Sequence, residues 1–452
     1  MTDNVKLPLK VKLGYGICDL GGNLFFTVIA FLLLNYLTDT VGIAAGLAGS
    51  IIMIGKIWDA ITDPVAGYLS DRTRTRWGRR RPYIFFGSFP LFAAMIVMFT
   101  HPGFTSQGQL FVWAVVAYCF LCTAYTLVNI PYNSMTPELT QDFHERTSLN
   151  GYRFGFAVVG TLIGAGGALP LVAAFGSKTT GFTVMGAVFG GVMLVTALIT
   201  FYTVQEPTTP SRPPTQGFFK TYLKVFKNKP YVLILAAYSL HVTALTVVSG
   251  IAIYYFKYIH GDEPQTTIAM LILLVTAMIF IPVSVIAAKR IGKKRSYAIG
   301  MLVFSIAIVI LFLWGHRLTL NFSFVMMFFA GIGMGFTYAM PYAMVPDAVE
   351  YDYLLTGERA EGAFYGIWTF GIKIGQAVAL GITGLVLSLT GYVPDVVQTP
   401  EASFGIRLLL GPIPAVIFGL ALLALYYYPI NEQRYNQILS DIRRMENGEG
   451  SS

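Results

Sequence analysis

Residues 44–69 read AAGLAGSIIMIGKIWDAITDPVAGYL, and this apolar stretch decides the class of fold. It is longer than the roughly 20 residues that a helix needs to cross a bilayer, yet it carries Lys56, Asp59 and Asp63. A carboxylate at the centre of a membrane helix costs roughly 2.5–3.5 kcal/mol on insertion scales, and such residues mark paths for ions or substrates. Asp59 and Asp63 are four residues apart, so a helix places both on one face.

A second interpretation of the same stretch is purely structural. Lys56 and Asp59 have the i,i+3 spacing that permits an ion pair on a helix surface. Asp63 would then reach the water layer. The sequence favours a cation site or a proton relay at Asp59 and Asp63, with the ion pair as the alternative.

The composition excludes a soluble protein. Of the 452 residues, 55% are hydrophobic and only 12% are charged, whereas soluble domains carry roughly 25% charged residues. The net charge of +8 does not indicate nucleic-acid binding, because the basic residues cluster in short loops beside apolar runs, as in membrane proteins. Residues 1–13 are polar and basic, so we expect no cleaved signal peptide.

Twelve apolar runs of spanning length predict an all-α membrane protein. They lie at 14–38, 43–70, 82–100, 109–135, 150–174, 181–204, 230–257, 266–288, 295–315, 320–346, 362–390 and 403–428. A proline- and lysine-rich segment separates the first six runs from the last six. The predicted parts are a six-helix bundle over 1–204, a cytoplasmic linker over 205–229, a second six-helix bundle over 230–428 and a cytoplasmic tail over 429–452.

The distribution of basic residues predicts the orientation. An even number of spans leaves both termini on one side, and the loops of that side hold 24 of the 31 Lys and Arg residues, against 3 in the opposite loops. By the positive-inside rule both termini are cytoplasmic. A basic, Gly-containing loop follows both span 2 and span 8, and two related six-helix halves are typical of secondary transporters.

Further charged side chains lie inside the apolar runs. Asp19 belongs to span 1, Arg153 to span 5 and Lys373 to span 11. These charges require partners, and they either hold the two halves together or rearrange when ligand and cation bind. Asp59 and Asp63, with the hydroxyl of Thr62 or Thr126, would form an oxygen-rich site for Na⁺ or H⁺.

Spans 4 and 10 combine prolines with polar and aromatic residues. Tyr125 and Asn129 precede Pro131 in span 4, and Pro341 and Pro346 lie near the end of span 10. We expect these prolines to interrupt both spans. Aromatic rings offer apolar faces to sugar C–H groups and polar edges to hydroxyls. We expect a polyol-binding cavity here; ordinary aromatic packing is the alternative.

Two loops of opposite charge suggest a cytoplasmic latch between the halves. The basic loop DRTRTRWGRRRP begins at Asp71, and the acidic segment DAVEYDYLLTGERAEG covers 347–362. The predicted latch residues are Asp71, Arg72, Arg80, Asp347, Arg359 and Glu361.

Motifs for chemistry on a bound substrate are missing from the sequence. There is no phosphate-binding loop, nucleophile elbow or catalytic triad order, so we expect no enzyme activity and no cofactor beyond a coupling cation. Cys18, Cys119, Cys122 and His241 lie in apolar runs, where packing is a better interpretation than a disulfide or a metal site.

Four motifs in this order resemble the glycoside–pentoside–hexuronide:cation symporters of the major facilitator superfamily. They are IWDAITDP at 57–64, GYLSDRTRTRWGRRRP at 67–82, YTLVNIPY at 125–132 and TGERAEGAFYG at 356–366, followed by Lys373. The resemblance covers essentially the whole chain. It implies the major facilitator fold, cation-coupled uptake of a sugar, glycoside or uronide, a monomer, and a bacterial inner-membrane location.

The resemblance also implies roles for particular residues. Asp59 and Asp63, the Na⁺ ligands if sodium is the coupling ion, and Thr126 match the cation site of the family. Asp19, Arg153 and Lys373 match charged positions of the sugar cavity. The remaining expected substrate contacts are Tyr125, Asn129, Asn133, Tyr342 and Trp368.

Departures from the family pattern bear on the substrate. The best-known member has aspartate where this chain has Asn129, tryptophan where it has Asn133 and lysine where it has Cys18. A galactoside is therefore disfavoured and an acidic sugar is favoured. A related animal branch that carries lysophospholipids shares the acid pair and the lysine of span 11, so a Na⁺-coupled amphiphile transporter is the alternative.

Overall fold

The computed structural model describes residues 7–140, 143–206, 225–356 and 361–446. Within these ranges the regular structure is helical, apart from one isolated bridge between Thr75 and Gly78. The helices are Leu9–Gly16, Cys18–Asn35, Ala45–Arg72, Arg81–Met98, Gln107–Leu139, Phe143–Ala173, Lys178–Thr203, Lys229–Tyr258, Gln265–Ile291, Lys293–Trp314, Leu320–Tyr338, Met340–Thr356, Glu361–Leu389, Pro400–Leu410, Pro412–Tyr426 and Glu432–Glu446, with a π-helical turn at Tyr36–Thr40.

Twelve segments of the described chain are long and apolar enough to cross a membrane, as predicted. They are Leu9–Thr40, Ala45–Ser70, Arg81–Met98, Gln107–Thr136, Ser148–Ala173, Lys178–Thr203, Lys229–Tyr258, Gln265–Ile291, Lys293–Trp314, Leu320–Thr356, Phe364–Leu389 and Pro400–Tyr426. We number them spans 1 to 12 in this order. The predicted fold class, an all-α membrane protein with twelve spans, is confirmed.

Two of the breaks within spans occur where the backbone loses a donor. In span 10 the helix ends at Tyr338 and restarts at Met340, just before Pro341. In span 12 the break is at Gly411, before Pro412. Proline has no N–H and clashes with the preceding turn, so these sites favour a break.

The expected proline interruption of span 4 is wrong. The helix runs without a break from Gln107 to Leu139, through Pro131. Neighbouring helices in a membrane protein can accommodate the missing backbone hydrogen bond, and spans 2 and 3 both pack against span 4. The polar residues of this span therefore keep regular helical spacing.

The chain forms two compact units. One, called the N-terminal unit, comprises residues 1–213 together with 380–402, and the other, called the C-terminal unit, comprises 214–379 together with 403–452. The end of span 11 thus packs with the N-terminal unit, where Gly384 allows its backbone to approach Gly49 closely. The division into six spans and six spans stays a prediction.

Two glycines of span 5 position span 1 within the N-terminal unit. A Cβ atom at Gly160 would lie 2.2 Å from the carbonyl oxygen of Leu20, and one at Gly164 would lie 2.9 Å from the side chain of Thr27. Small residues of this kind let helices approach closely in membranes. This contact brings Asp19, one residue before Leu20, beside the helix that carries Arg153.

Candidate functional site

The two acidic residues of span 2 converge on one hydroxyl of span 4. The Oγ1 atom of Thr126 lies 2.8 Å from Oδ1 of Asp59 and 3.0 Å from Oδ1 of Asp63. Both carboxylate oxygens are therefore within about 6 Å of each other. Asp59 and Thr126 are buried, at 4% and 1% exposure. Three oxygen atoms thus lie close together, with Thr126 Oγ1 between the two carboxylates, and oxygen is the ligand that hard cations prefer.

Local sequence explains how spans 2 and 4 come so close. Gly55 faces the ring of Tyr118, and a Cβ at Gly55 would lie 2.1 Å from that ring. Only glycine allows this approach. Nine residues after Gly55, Pro64 lacks an N–H, so the helix cannot supply its usual donor to the carbonyl of Ala60 beside Asp59.

The other predicted members of this cluster lie close by. The hydroxyl of Thr62 donates to the backbone oxygen of Asp59 at 3.2 Å, so its own helix occupies that proton. Lys56 is buried, and its ammonium lies 5.6 Å from the ring centroid of Phe26. The role of Thr62 as a cation ligand and the Lys56–Asp59 ion pair both stay predictions.

Asp19 and Arg153 form a bidentate ion pair in the same unit. Nε of Arg153 lies 2.5 Å from Oδ2 of Asp19, and Nη2 lies 3.2 Å from Oδ1. Tyr132 donates its hydroxyl to Oδ2 of Asp19 at 2.7 Å, and Nη1 of Arg153 donates to Thr136 at 2.9 Å. The side chains are only 16% and 18% exposed, so the network supplies hydrogen bonds that water would otherwise provide.

Two asparagines continue this network along span 4. Nη2 of Arg153 donates to Oδ1 of Asn133 at 2.5 Å, and Nδ2 of Asn133 donates to Oδ1 of Asn129 at 2.6 Å. The structure therefore joins three residues predicted to bind substrate into one chain of hydrogen bonds.

A pocket lies directly beside this chain. Its wall includes Asp19, Asn129 and Tyr125, with Cys18 and Thr196. The ring of Tyr125 stacks on Phe25, with centroids 4.1 Å apart and planes 10° apart. The wall thus combines two tyrosines with polar and aliphatic residues.

The predicted aromatic residues of the C-terminal unit form a separate cluster. Tyr238 and Trp368 stack with centroids 4.5 Å apart and planes 4° apart, and the hydroxyls of Tyr238 and Tyr342 lie 3.2 Å apart. Tyr342 is 49% exposed and Trp368 only 2%. Tyr342 therefore has an exposed surface and Trp368 has almost none, and the substrate contacts of both residues stay predictions. Lys373 follows on the same span, and its role stays a prediction.

Residues of the predicted latch have partners inside their own units. Lys293 binds both carboxylate oxygens of Asp347 at 2.8 Å. The backbone nitrogens of Arg79 and Arg80 donate to the Glu206 carboxylate. Burial and the nearby Asp347 and Glu350 raise the pKa of Tyr435, whose ring lies 5.2 Å from Lys293.

The other predicted latch residues have no described contact that tests the latch. Arg72 lies over the ring of Tyr68, 4.1 Å from its centroid. Arg359 and the side chains of Asp71 and Glu361 lie outside the described residues. The latch between the two halves stays a prediction.

Sequence reasoning missed three supporting residues. These are Thr136, which accepts a hydrogen bond from Arg153; Glu206, which accepts a backbone hydrogen bond from Arg80; and Lys293, which forms an ion pair with Asp347. Thr136 could have been found, because Asn129, Asn133 and Thr136 recur at the spacing of one helix face. The other two gave no local signal.

Twelve apolar spans in the described part of the chain, with acidic and basic side chains inside them, are typical of a multi-pass membrane protein. Residues 14–432 match the family described as MFS/sugar transport protein, and the chain belongs to this family. It is therefore a multi-pass membrane transporter of the major facilitator type. The predictions of family and of transporter class are confirmed.

Individual relatives cover nearly the full chain. A glucuronide carrier protein homolog from Escherichia coli (strain K12) is 31% identical over 447 residues, covering 97% of this chain and 96% of the relative. An isoprimeverose transporter from Lactiplantibacillus pentosus is 31% identical over 433 residues, covering 94% and 90%. An uncharacterized symporter, YnaJ, from Bacillus subtilis (strain 168) is 30% identical over 457 residues, covering 99% and 97%.

Solved structures confirm the fold alone. A crystal structure of a mutant of the nucleoside transporter NupG matches with a TM-score of 0.71, covering 93% of this chain and 100% of that chain. The sequence identity is 13%, which carries no information about the substrate.

Proposed function

We propose that this protein is a symporter that couples the uptake of a sugar, glycoside or uronide to the entry of a monovalent cation, Na⁺ or H⁺. The convergence of Asp59, Asp63 and Thr126 inside the apolar spans carries this proposal. Two carboxylates at this depth are costly, and a bound cation offsets that cost. Relatives named as a symporter, a glucuronide carrier homolog and an isoprimeverose transporter support the assignment.

The coupling follows from thermodynamic linkage. The cation neutralises Asp59 and Asp63, which lie on the helix next to span 4, and span 4 also carries Tyr125 and Asn129 of the pocket. A cation that fixes the position of span 4 raises sugar affinity, and by reciprocity the sugar raises cation affinity. The transporter then changes conformation with both ligands bound and releases them on the other side of the membrane.

The substrate class follows from the pocket wall. Asp19, Asn129 and Thr196 are polar residues of this wall, and Tyr125 and Tyr132 are its aromatic residues. Such a wall suits a polyol better than a lipid tail, so the amphiphile alternative has no specific support. We further propose a bacterial inner-membrane location with both termini in the cytoplasm, and function as a monomer.

Reconstitution tests the proposal directly. Wild-type protein in proteoliposomes accumulates labelled sugar under an inward Na⁺ or H⁺ gradient, and separate gradients identify the ion. Asp63→Asn removes one cation ligand and abolishes accumulation, while exchange of internal for external sugar stays measurable. Asp262→Asn, a loop acid bonded to Gln265, is the matched control and accumulates normally. Full cation-driven accumulation by Asp63→Asn would contradict the proposal.

A further inference from the structure

We infer that Arg317 and Arg407 bind the phosphate group of an anionic phospholipid at one end of the C-terminal unit. Arg317 lies in the loop between spans 9 and 10, and Arg407 lies in span 12. Both residues belong to the C-terminal unit, whereas Asp59, Asp63 and Thr126 belong to the N-terminal unit. The site is therefore separate from the proposed cation cluster, and the inference does not depend on symport.

Neither arginine forms an ion pair with a carboxylate in the part of the chain that the structure describes. Arg317 is exposed, and its Nε atom donates to Nε2 of His316 at 3.3 Å. Arg407 is half-buried, and its Nη2 atom donates to the carbonyl oxygen of Phe312 at 3.1 Å. Burial, together with the nearby charges of Arg407 and Arg317, lowers the pKa of His316. Two guanidinium groups therefore lie near one residue, and their other N–H groups donate to no described residue.

A structural role explains only part of this arrangement. Span 9 ends as a helix at Trp314, so the carbonyl oxygen of Phe312 has no donor from its own helix. The Nη2 atom of Arg407 supplies that donor. This contact uses one side of the guanidinium and leaves its positive charge without a carboxylate.

Three polar atoms beside this loop are buried and have no hydrogen-bond partner among the described residues. They are Nε of Arg407, Nδ1 of His316 and the hydroxyl of Tyr255, a residue that is 0% exposed. A Cβ atom at Gly315 would lie 2.3 Å from that hydroxyl, so Tyr255 points at the same loop. Buried polar atoms in native proteins are nearly always paired. This group of atoms therefore indicates a site for a ligand.

The hydrogen-bonding roles of these atoms favour an anion. Arginine only donates, so Nε2 of His316 must accept from Arg317. In a neutral ring the hydrogen is then on Nδ1. Nδ1 of His316 and Nε of Arg407 are therefore both donors, and the hydroxyl of Tyr255 can be a third. A ligand that meets several donors beside two positive charges needs acceptor atoms and negative charge.

The acidic residues of the neighbouring loop do not supply that charge. Asp262 and Glu263, between spans 7 and 8, interact with Gln265 and Lys257. Membrane insertion does not explain the arginines either, because basic residues are enriched in cytoplasmic loops and the loop after span 9 is predicted to lie on the opposite side. The oxygen atoms of a phosphate group match the planar fork of arginine.

Exposed apolar residues around the arginines favour a lipid over a soluble anion. Leu313, Trp314 and Leu318 flank the loop, and all three are exposed. Phe404 is exposed as well, three residues before Arg407 on the same helix. Tryptophan is typical of the interface between membrane and water. Acyl chains can pack on this surface while the phosphate group binds the guanidinium groups.

The experiment measures binding of dioctanoyl phosphatidylglycerol to the purified full chain in detergent, by native mass spectrometry and by thermal shift. Dioctanoylglycerol supplies the same acyl chains without phosphate, and inorganic phosphate supplies the anion without the chains. The wild type should bind phosphatidylglycerol and unfold at a higher temperature in its presence. The other two compounds at the same concentration should have little effect.

Two double variants compare this site with another pair of basic residues. Arg317→Gln combined with Arg407→Gln should weaken binding of phosphatidylglycerol about tenfold or more, because charge-assisted hydrogen bonds are lost. Arg317→Gln alone should weaken it several-fold. Lys289→Gln combined with Arg290→Gln removes two exposed positive charges at the end of span 8 and should keep the wild-type affinity.

Each other result would overturn the inference. An equal loss in both double variants would indicate general attraction by positive charge. An equal effect of inorganic phosphate or of dioctanoylglycerol on the wild type would assign the site to a free anion or to acyl chains alone. Arg317 is exposed, so its single variant should fold even if the loss of Arg407 destabilises the helix end. Wild-type lipid affinity in that single variant also contradicts the inference, whereas symport is tested separately by cation-driven uptake.

Discussion

The N-terminal and C-terminal units use different side chains inside their spans. The N-terminal unit buries Asp59 beside Asp63 and pairs Asp19 with Arg153. The C-terminal unit instead buries a stack of Tyr238 and Trp368. Charged side chains inside a membrane span cost free energy, and they mark functional sites for that reason. Aromatic stacks instead stabilise a core and offer flat apolar surfaces. From this difference we expect ion coupling in the N-terminal unit and apolar ring contact in the C-terminal unit.

Ion pairs of the two units differ in the same way. Arg153 and Asp19 are both mostly buried and share hydrogen bonds with Tyr132 and Thr136, whereas Lys293 is 40% exposed although Asp347 is buried. An exposed lysine keeps much of its hydration. Loss of the first pair should therefore matter more than loss of the second.

The largest expected effect comes from breaking the buried pair. Arg153→Ala leaves Asp19 without its guanidinium and should lower the free energy of unfolding by roughly 3–5 kcal/mol and abolish uptake. Thermal unfolding in detergent and uptake in proteoliposomes measure both effects. Lys293→Ala is the control in the other unit and should cost clearly less.

A double variant sharpens this test. Asp19→Leu combined with Arg153→Leu removes both charges, so stability should recover towards the wild-type value, whereas uptake stays lost. Arg153→Ala as stable as the wild type would show that the pair contributes nothing to the N-terminal unit and would remove the contrast between the units.

The next effect concerns the cation cluster. Thr126→Val removes the hydroxyl shared by Asp59 and Asp63 at nearly constant volume. A hydrogen bond to a charged group contributes roughly 1.5–3 kcal/mol, so the cation concentration for half-maximal uptake should rise about tenfold or more. Thr126→Ser keeps the hydroxyl and should stay within a few-fold of the wild type. Equal cation dependence in Thr126→Val would place the coupling site elsewhere.

The smallest effect tests the C-terminal unit. Tyr342→Ala removes the exposed ring of the aromatic cluster, and a stacking contact contributes roughly 0.5–1.5 kcal/mol. Sugar affinity should fall up to tenfold for neutral and acidic sugars alike, while the dependence on cation stays unchanged. Tyr342→Phe retains the ring and is the control. A selective loss of acidic sugars in Tyr342→Ala would contradict the division of roles.

Much of the architecture was predictable because its signals are local. Long apolar runs predict spans, and the i,i+4 spacing of Asp59 and Asp63 predicts a shared helix face. Of the two predicted hydroxyl partners, Thr126 contacts both carboxylates, whereas Thr62 donates to the backbone oxygen of Asp59, and its role as a cation ligand stays a prediction. Both threonines fit the sequence pattern equally well, so only packing of span 4 against span 2 could separate them.

Other features depended on neighbours far along the chain. The sequence showed three acids and three bases within spans without their partners, and the structure joins Asp19 to Arg153, 134 positions away. Trp368 was expected to contact substrate; its side chain is buried, and that contact stays a prediction. Pro131 was expected to break its helix, but the neighbouring spans keep that helix continuous.

By itself the sequence determined twelve membrane spans, an acid pair on one face and the basic loops, because hydropathy and helical periodicity act over a few residues. Tertiary structure alone decided which charges pair, which aromatic ring is exposed and how the amides of Asn133 and Asn129 are oriented. The physical reason is that each of these depends on a donor or a surface supplied by another helix. A guanidinium on span 5 sets the hydrogen-bonding direction on span 4, and no local pattern records that contact.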